Sequence, residues 1–593
     1  MREILAQVIV SRCATTTNCG LNVFLLGGGE HMRKLVLVLL VLALGLPLFA
    51  QSEDITTKVY NLQGDTQSGN GPYYVKSTRT WSSGGSNFTQ SYNNATLIFG
   101  NDTKTQASGN TIWFGGNGWQ AGLIGYITAN FEAKDIYLTS ILGAGNQWGT
   151  GGGATLNFKA SEAATLETLT LNLNKAGTQN SHFKVEGSSI TINNSKLNAQ
   201  TNGFSLLLKS TKDDIKITNS QAHFGGDITI DSGKDLISSD TATKINSTSG
   251  RISVTAKENI DFKGSMDFAS GGATWDGTIK LEAGDKLDIA TLKATLYSGK
   301  GQFLAKAKDL NIGDLNLHGN VGTAVNASNA TFEADTIELN KAEIYSTRGI
   351  NNATDNAGEF VVKFIAKDSI VLNNTNIRLT NQLESVGSPD SVVFESGGDL
   401  THSGKLTTAT AQQTWGGATF DFSKVKGKAS VENIEIVAAN VKMNSDFSAK
   451  SLVVQKRQTN GGQNGLGTKL WTNEGGKYKF DSIMLNDGTD LAADTARMTF
   501  VNDSGNNIFV KNSKLELGSL SVGKKGGFYA SNITHTIATN LALDSSSTAS
   551  FHHLTITPGG QITMDANNAK LVLEKHGDEV GVLELGVSIK DSG

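Results

Sequence analysis

Cysteine, proline and long apolar runs are all scarce in this chain, and each shortage closes off a class of protein. Both cysteines, Cys13 and Cys19, lie near the N-terminus. From Gln51 onward there is none, which excludes disulfides, thiolate metal sites and a cysteine nucleophile there. Four prolines in 593 residues suit a chain that is mostly sheet, because proline cannot donate to a strand ladder. Charged residues are only 18% and apolar residues 38%, too apolar and too regularly patterned for disorder. The long 3.6-period stripes that helical domains require are rare. With no basic block, there is no electrostatic footprint for nucleic acid.

The single long apolar run, Met32–Ala50, has the three parts of a secretory signal: Arg33 and Lys34, then Leu35–Leu46, then helix-breaking Pro47 and small Ala50. A membrane span needs about 20 apolar residues, so the run reads as a signal peptide, cleaved near Ala50. Residues 1–31 do not belong to that plan. Met32 reads as the initiator and 1–31 as an upstream extension from a start codon called too early. Setting residues 1–50 aside leaves 47 basic against 53 acidic residues, net −6. A cysteine-free secreted chain also suits export in an unfolded state.

What the sequence has in quantity is short alternation. Residues 51–110 are polar and rich in Gly, Ser and Asn, with strand-like pieces at Lys58–Leu62 and Ala95–Gly100. They read as a cap that covers an open strand edge. Beyond them, segments such as Ile190-Thr191-Ile192, Ile215-Lys216-Ile217, Ile228-Thr229-Ile230, Leu287-Asp288-Ile289, Ile337-Glu338-Leu339, Leu515-Glu516-Leu517 and Leu554-Thr555-Ile556 recur. Each puts large aliphatics on one face and a polar residue on the other. Ile370-Val371-Leu372 and Leu571-Val572-Leu573 are apolar on both faces, which predicts strands covered on the outside too. Turns such as Asn193-Asn194 and Asn373-Asn374 lie between them, with asparagines able to stack as internal ladders.

A longer repeat is also visible. Gly-Gly-Ala-Thr occurs at Gly152–Thr155, Gly271–Thr274 and Gly416–Thr419, each beside a tryptophan: Trp148, Trp275 and Trp415. The pattern predicts an all-β parallel solenoid over 111–593, with roughly 20–25 residues per coil and on the order of 20–25 coils. Strand pattern still runs at Leu583–Ile589, so the rod reads as cut off in mid-run. Antiparallel sandwiches are the alternative. The Asn-Gly and Asp-Gly pairs lack the regular spacing that a hairpin series would give.

Trp113-Phe114-Gly115-Gly116-Asn117-Gly118-Trp119, then Gly125–Phe131 and Lys134–Tyr137, resemble the passenger region of vacuolating-cytotoxin-like autotransporters. The resemblance implies a right-handed parallel β-helix exported through a C-terminal β-barrel and displayed at, or released from, the cell surface. Two departures stand out. The barrel is absent from the sequence, and Gln51–Thr57 is polar where the pore-forming toxin has small-xxx-small glycines for helix packing in a membrane. An adhesin is therefore at least as well supported as a membrane-active toxin. The partner expected is a host cell-surface protein or glycan, with membrane contact if the chain is toxin-like. The Asn-Pro motif of two-partner secreted haemagglutinins is absent, since Pro72, Pro389 and Pro558 follow Gly71, Ser388 and Thr557.

No catalytic constellation emerges. Asp231-Ser232-Gly233 and Asn502-Asp503-Ser504-Gly505 come nearest to a nucleophile turn, but both lack the preceding glycine and read as structural turns. The histidines 182, 223, 318, 402, 535, 552, 553 and 576 are scattered. His552 and His553, being adjacent, point to opposite faces of a strand and cannot jointly clasp a metal. The aromatics Trp113, Trp119, Tyr126, Phe131 and Tyr137 read as core filling ahead of a binding platform. The chain is expected to be non-enzymatic, with no cofactor and no metal.

Overall fold

A strand of four or five residues with one aliphatic face buries too little to stand alone, and the chain solves this by stacking. The computed structural model describes residues 73–75, 79–80, 86–99, 111–114, 127–139, 141–144, 154–173, 181–199, 203–270, 277–297, 301–321, 328–348, 359–380, 390–409, 417–455, 467–487, 496–506 and 508–586. Their 43 strands form one hydrogen-bonded network, in which strand pairs are parallel from Tyr73↔Leu97 at one end to His553↔Val582 at the other. An isolated bridge, His576↔Glu579, is antiparallel. A hairpin-built sandwich is thereby excluded.

Each coil has three faces. Ala154–Ala160, Ala163–Glu167 and Thr170–Leu173 make one coil, and Ser181–Gly187, Ser189–Asn193 and Lys196–Ala199 lie directly on it. Further along, one strand can run through two corners, as Phe360–Thr380 does. On the second face the aliphatics stack in line: Ile190 on Ile215, Ile215 on Leu236, Leu236 on Ile260, Ile260 on Leu287. About twenty coils at roughly 4.8 Å give a rod of about 90 Å.

Coil length is less regular than expected, and many coils are longer. Phe420 pairs with Val441, whereas Ala330 pairs with Val362, half as far again along the chain. Strand register is kept while the connections vary in length. Parallel stacking also starts ahead of Thr111. Ser86–Phe99, drawn as part of the cap, pairs in parallel with Ile127–Leu138. The Gly-Gly-Ala-Thr repeat acquires a structural meaning, since Ala154-Thr155 and Ala418-Thr419 lead into first-face strands. Gly271–Thr274, Met32–Ala50, residues 1–31 and the tryptophans 119, 148, 275 and 415 lie outside the described residues.

The interior is a column of aliphatics with phenylalanine runs inside it. Phe332, Phe364, Phe394 and Phe422 stack face to face at 4.9, 5.3 and 4.7 Å between ring centroids, and all four are fully buried. Phe303, Phe447 and Phe480 extend the run at tilted angles. Near the other end Phe131 stacks on Phe158 at 5.4 Å, with Phe99 edge-on to both. Phe131 is thus core, whereas Tyr137 alternates to the outer surface. In-register stacking forces like onto like, and offset-stacked rings are one of the pair geometries aromatics favour.

The corners are polar for a backbone reason. Asn194, Asn219 and Asn374 have φ of 47°, 45° and 45°, a left-handed conformation that asparagine tolerates better than most residues. Asparagine ladders do form, with Asn219 donating to Asn194 at 2.6 Å and Asn373 to Asn340 at 3.2 Å. They lie on exposed corners instead of inside, because the interior is closed by aliphatics. Buried corner hydroxyls do the internal work: Ser195 accepts from the Leu169 amide and Ser220 from the Ser195 amide. The doubly apolar strands are not covered as expected. Val371 is half-buried between buried Ile370 and Leu372, and Leu571, Val572 and Leu573 are all half-buried, near the last described coil.

Because each coil touches only its neighbours, one lost ring opens a cavity that the stack cannot collapse around. Phe364→Ala is expected to cost about 3–5 kcal/mol in urea unfolding, against under about 0.5 kcal/mol for exposed Lys367→Ala. Equal effects would mean that the phenylalanine column is not a mainstay of the rod.

Candidate functional site

With the interior filled, function falls to the outer surface, where side chains from successive coils stand about 4.8 Å apart in rows. At the turn from first to second face a shallow open groove of ≈ 960 Å³ runs from Glu282 to Lys426 across several coils. Its floor is small, with Ala283, Gly284, Ala307, Ala334 and Gly397. A Cβ on Gly397 would run into the Lys367 carbonyl oxygen, so that position needs glycine. Its walls alternate in charge: Lys306 meets Glu333 at 2.7 Å, Lys308 meets Asp285 at 3.0 Å, and Lys424 meets Glu395 at 3.2 Å.

These contacts follow from register, since Lys306 pairs with Glu333 and Glu395 with Lys424 in the strand ladder. The hydrogen bond to Glu333 raises the Lys306 ammonium above its ordinary range, and that to Asp285 does the same for Lys308. Exposed pairs of this kind contribute about 0–1 kcal/mol each. Their main effect is to hold charged side chains in fixed rows over a floor of small residues.

The residues singled out as candidates for chemistry take separate places. Ser232 is buried, donates to the Asp235 carbonyl at 2.7 Å and lies 3.3 Å from Ser210. Ser504 donates to the Asn502 side chain at 2.8 Å. His318 stacks on Tyr345 at 4.6 Å. His402 is buried, and its Nε2 lies 2.9 Å from the Thr375 carbonyl. A carbonyl only accepts, so Nε2 carries the proton and donates.

Four histidines gather near the last described coils. His552 points inward, with Nδ1 3.0 Å from the Glu574 carbonyl and its ring 5.0 Å from Phe509. His552 sits in the bend before the strand that His553 opens, and His553 points outward. There its ring lies 4.3 Å from that of His535 on the preceding coil. Glu584, on the following coil, comes within 3.4 Å of His553. Sequence reasoning did not find this group because His535, His553 and Glu584 are separated by whole, unequal coils, which no short-motif spacing reveals.

Among the described residues no helix is long and apolar enough to cross a membrane. Residues 122–181 match the model of a family described as "Putative vacuolating cytotoxin". The matched span contains the described strands from Ile127–Leu138 to Thr170–Leu173, two successive coils. This is the family that the Gly125–Tyr137 motif resembles. No curated protein and no solved structure matches the chain.

Burial holds the His402 imidazole down at about 4, outweighing its hydrogen bond to Thr375 and the nearby Glu432 carboxylate. In the unfolded chain the same group titrates near 6.5, so only the unfolded state gains a proton between those values. Stability from this residue is therefore complete above pH 6.5 and lost as pH falls towards 4, by roughly 3 kcal/mol. Comparing urea midpoints at pH 7 and pH 4.5 for the parent and His402→Gln checks this, the variant being expected to show the smaller acid loss.

Proposed function

We propose that this chain is a secreted or surface-displayed passenger of the vacuolating-cytotoxin-like type that engages host cells through the outer side of its solenoid, by binding and not by catalysis. The observation that carries the reading is the corner groove between Glu282 and Lys426. It is long and open, with a floor of small residues and with lysines and carboxylates held in alternating rows. Such a trough is complementary to an extended polymer that offers hydroxyls, amides and scattered charges, as a cell-surface glycan or an extended protein segment does. The family match at 122–181 supports the passenger architecture, and the signal-like Met32–Ala50 supports export, with cleavage near Ala50.

A second reading has its own support. The matching family is described as a cytotoxin, which favours a membrane-active role.

The two readings separate in one set of assays on the purified chain. Saturable binding to epithelial cells without dye release from liposomes, at neutral or acidic pH, is expected for the adhesive passenger. The double charge reversal Lys308→Glu and Lys367→Glu is expected to lower cell binding at least tenfold while the thermal midpoint stays within a few degrees, since both lysines are exposed. Dye release by the parent chain would establish the membrane-active reading instead. Unchanged binding by the reversed variant would remove the groove from the interface.

A further inference from the structure

We propose that His535, His553 and Glu584 form a binding site for a divalent transition metal of the Zn²⁺ class, and that the bound ion clips three successive coils of the solenoid together. The three residues come from Ile533–Leu543, His553–Met564 and Val582–Leu585, second-face strands of consecutive coils. The ladder pairs Thr536 with Leu554 and Leu554 with Leu583. The residues just before and after these inward positions therefore project outward in adjacent rows. One ligand atom from each of the three residues lies within 4.8 Å of the others.

The chemistry of the set favours zinc over calcium or magnesium. Two imidazoles with one carboxylate is a common three-ligand zinc set, leaving a fourth position for water, whereas hard cations take oxygen ligands. Ligand atoms around a tetrahedral zinc stand about 3.4 Å apart, given bonds of about 2.0–2.1 Å. His553 Nε2 and Glu584 Oε1 are already at 3.4 Å, and Glu584 is exposed and His535 half-buried, so neither is locked in the core.

Two further observations concern how the ligands are held. His553 Nε2 is buried and faces the Glu584 carboxylate at 3.4 Å, beyond the distance of a good hydrogen bond. The Thr555 hydroxyl donates to Glu584 at 2.9 Å and lies 2.9 Å from His535 Nε2, tying the outer two ligands to each other. Supporting contacts of this kind orient ligands around a metal. The cation that faces the site, Lys514, pairs with His535 in the ladder and is met by Glu516 at 2.8 Å, which offsets its repulsion of a second cation.

The ion would act on the last described coil. In the last described coil Leu583 and Leu585 are 38% and 55% exposed, so Val582–Leu585 holds to the rod mainly through its ladder with His553–Ile556. A metal bond through Glu584 would add an anchor outside the core. An ion that binds only the docked strand favours that state by mass action.

The test is calorimetric titration of the metal-free full chain with ZnCl₂ at neutral pH, together with hydrogen exchange across 582–585. One zinc per chain and slowed exchange at 582–585 are expected. Glu584→Gln, which alters an exposed side chain, is expected to weaken zinc binding at least tenfold and abolish the slowing, and His553→Ala to do the same. CaCl₂ is expected to give neither effect. Zinc binding unchanged in Glu584→Gln would overturn the proposal. So would binding lost only in His576→Gln, which would place the ion between His576 and His552, whose rings lie 5.5 Å apart.

Discussion

Everything in this molecule depends on parallel, in-register stacking of backbone on backbone. The chain turns a corner after each strand and does not fold back in a hairpin, so a strand's hydrogen bonds go to the coils before and after it. Leu206 pairs with Ile228, and Ile228 with Ile252. Once the backbone is committed in this way, every side chain has a fixed neighbour about 4.8 Å above and below it. The sequence must then satisfy row after row, not merely an overall hydrophobic quota.

The rows solve this differently inside and out. Inside, like can sit on like, since aliphatics and offset rings attract when stacked. The fully buried run Phe332, Phe364, Phe394 and Phe422 is the clearest case. Outside, like charges in one row repel, and in several rows opposite charges alternate. Lys209 meets Asp231 at 3.2 Å and Lys293 meets Asp267 at 3.3 Å, both between partners in the ladder. The same rule brings His535, His553 and Glu584 into adjacent outer rows, where nitrogen and carboxylate ligands complement each other around a cation.

Much of the fold was legible because its signal is local. Ile190-Thr191-Ile192 or Leu515-Glu516-Leu517 declares its inner face by period two, and the structure buries those aliphatics almost completely. Proline scarcity and asparagine turns pointed the same way. What was not legible depends on distances along the chain that no short window contains. The phenylalanine column requires knowing that Phe332 lands on Phe364, a full long coil later. The histidine group requires the lengths of two unequal coils, from His535 to His553 and from His553 to Glu584, to be known in advance. The corner groove likewise draws its walls from residues as far apart as Glu282 and Lys426. Asparagine ladders were foreseen in kind but not in place, because the sequence does not reveal how completely aliphatics close the interior.

The uneven coil length carries a consequence for kinship. Where the chain keeps step, homologous positions stay in phase: Ile127 pairs with Ala154 and Thr155 with His182, the same step twice over within and at the edge of the span that matches the family. Elsewhere the step shortens, as from Phe420 to Val441, or lengthens, as from Ala330 to Val362, while the ladder itself keeps its register. Insertions and deletions between strands are thus structurally silent yet scramble any comparison made at fixed spacing. Two solenoids of common descent could share nearly every row of their cores and still align over only a coil or two. Ancestry in such a rod is better read across the stack than along the chain.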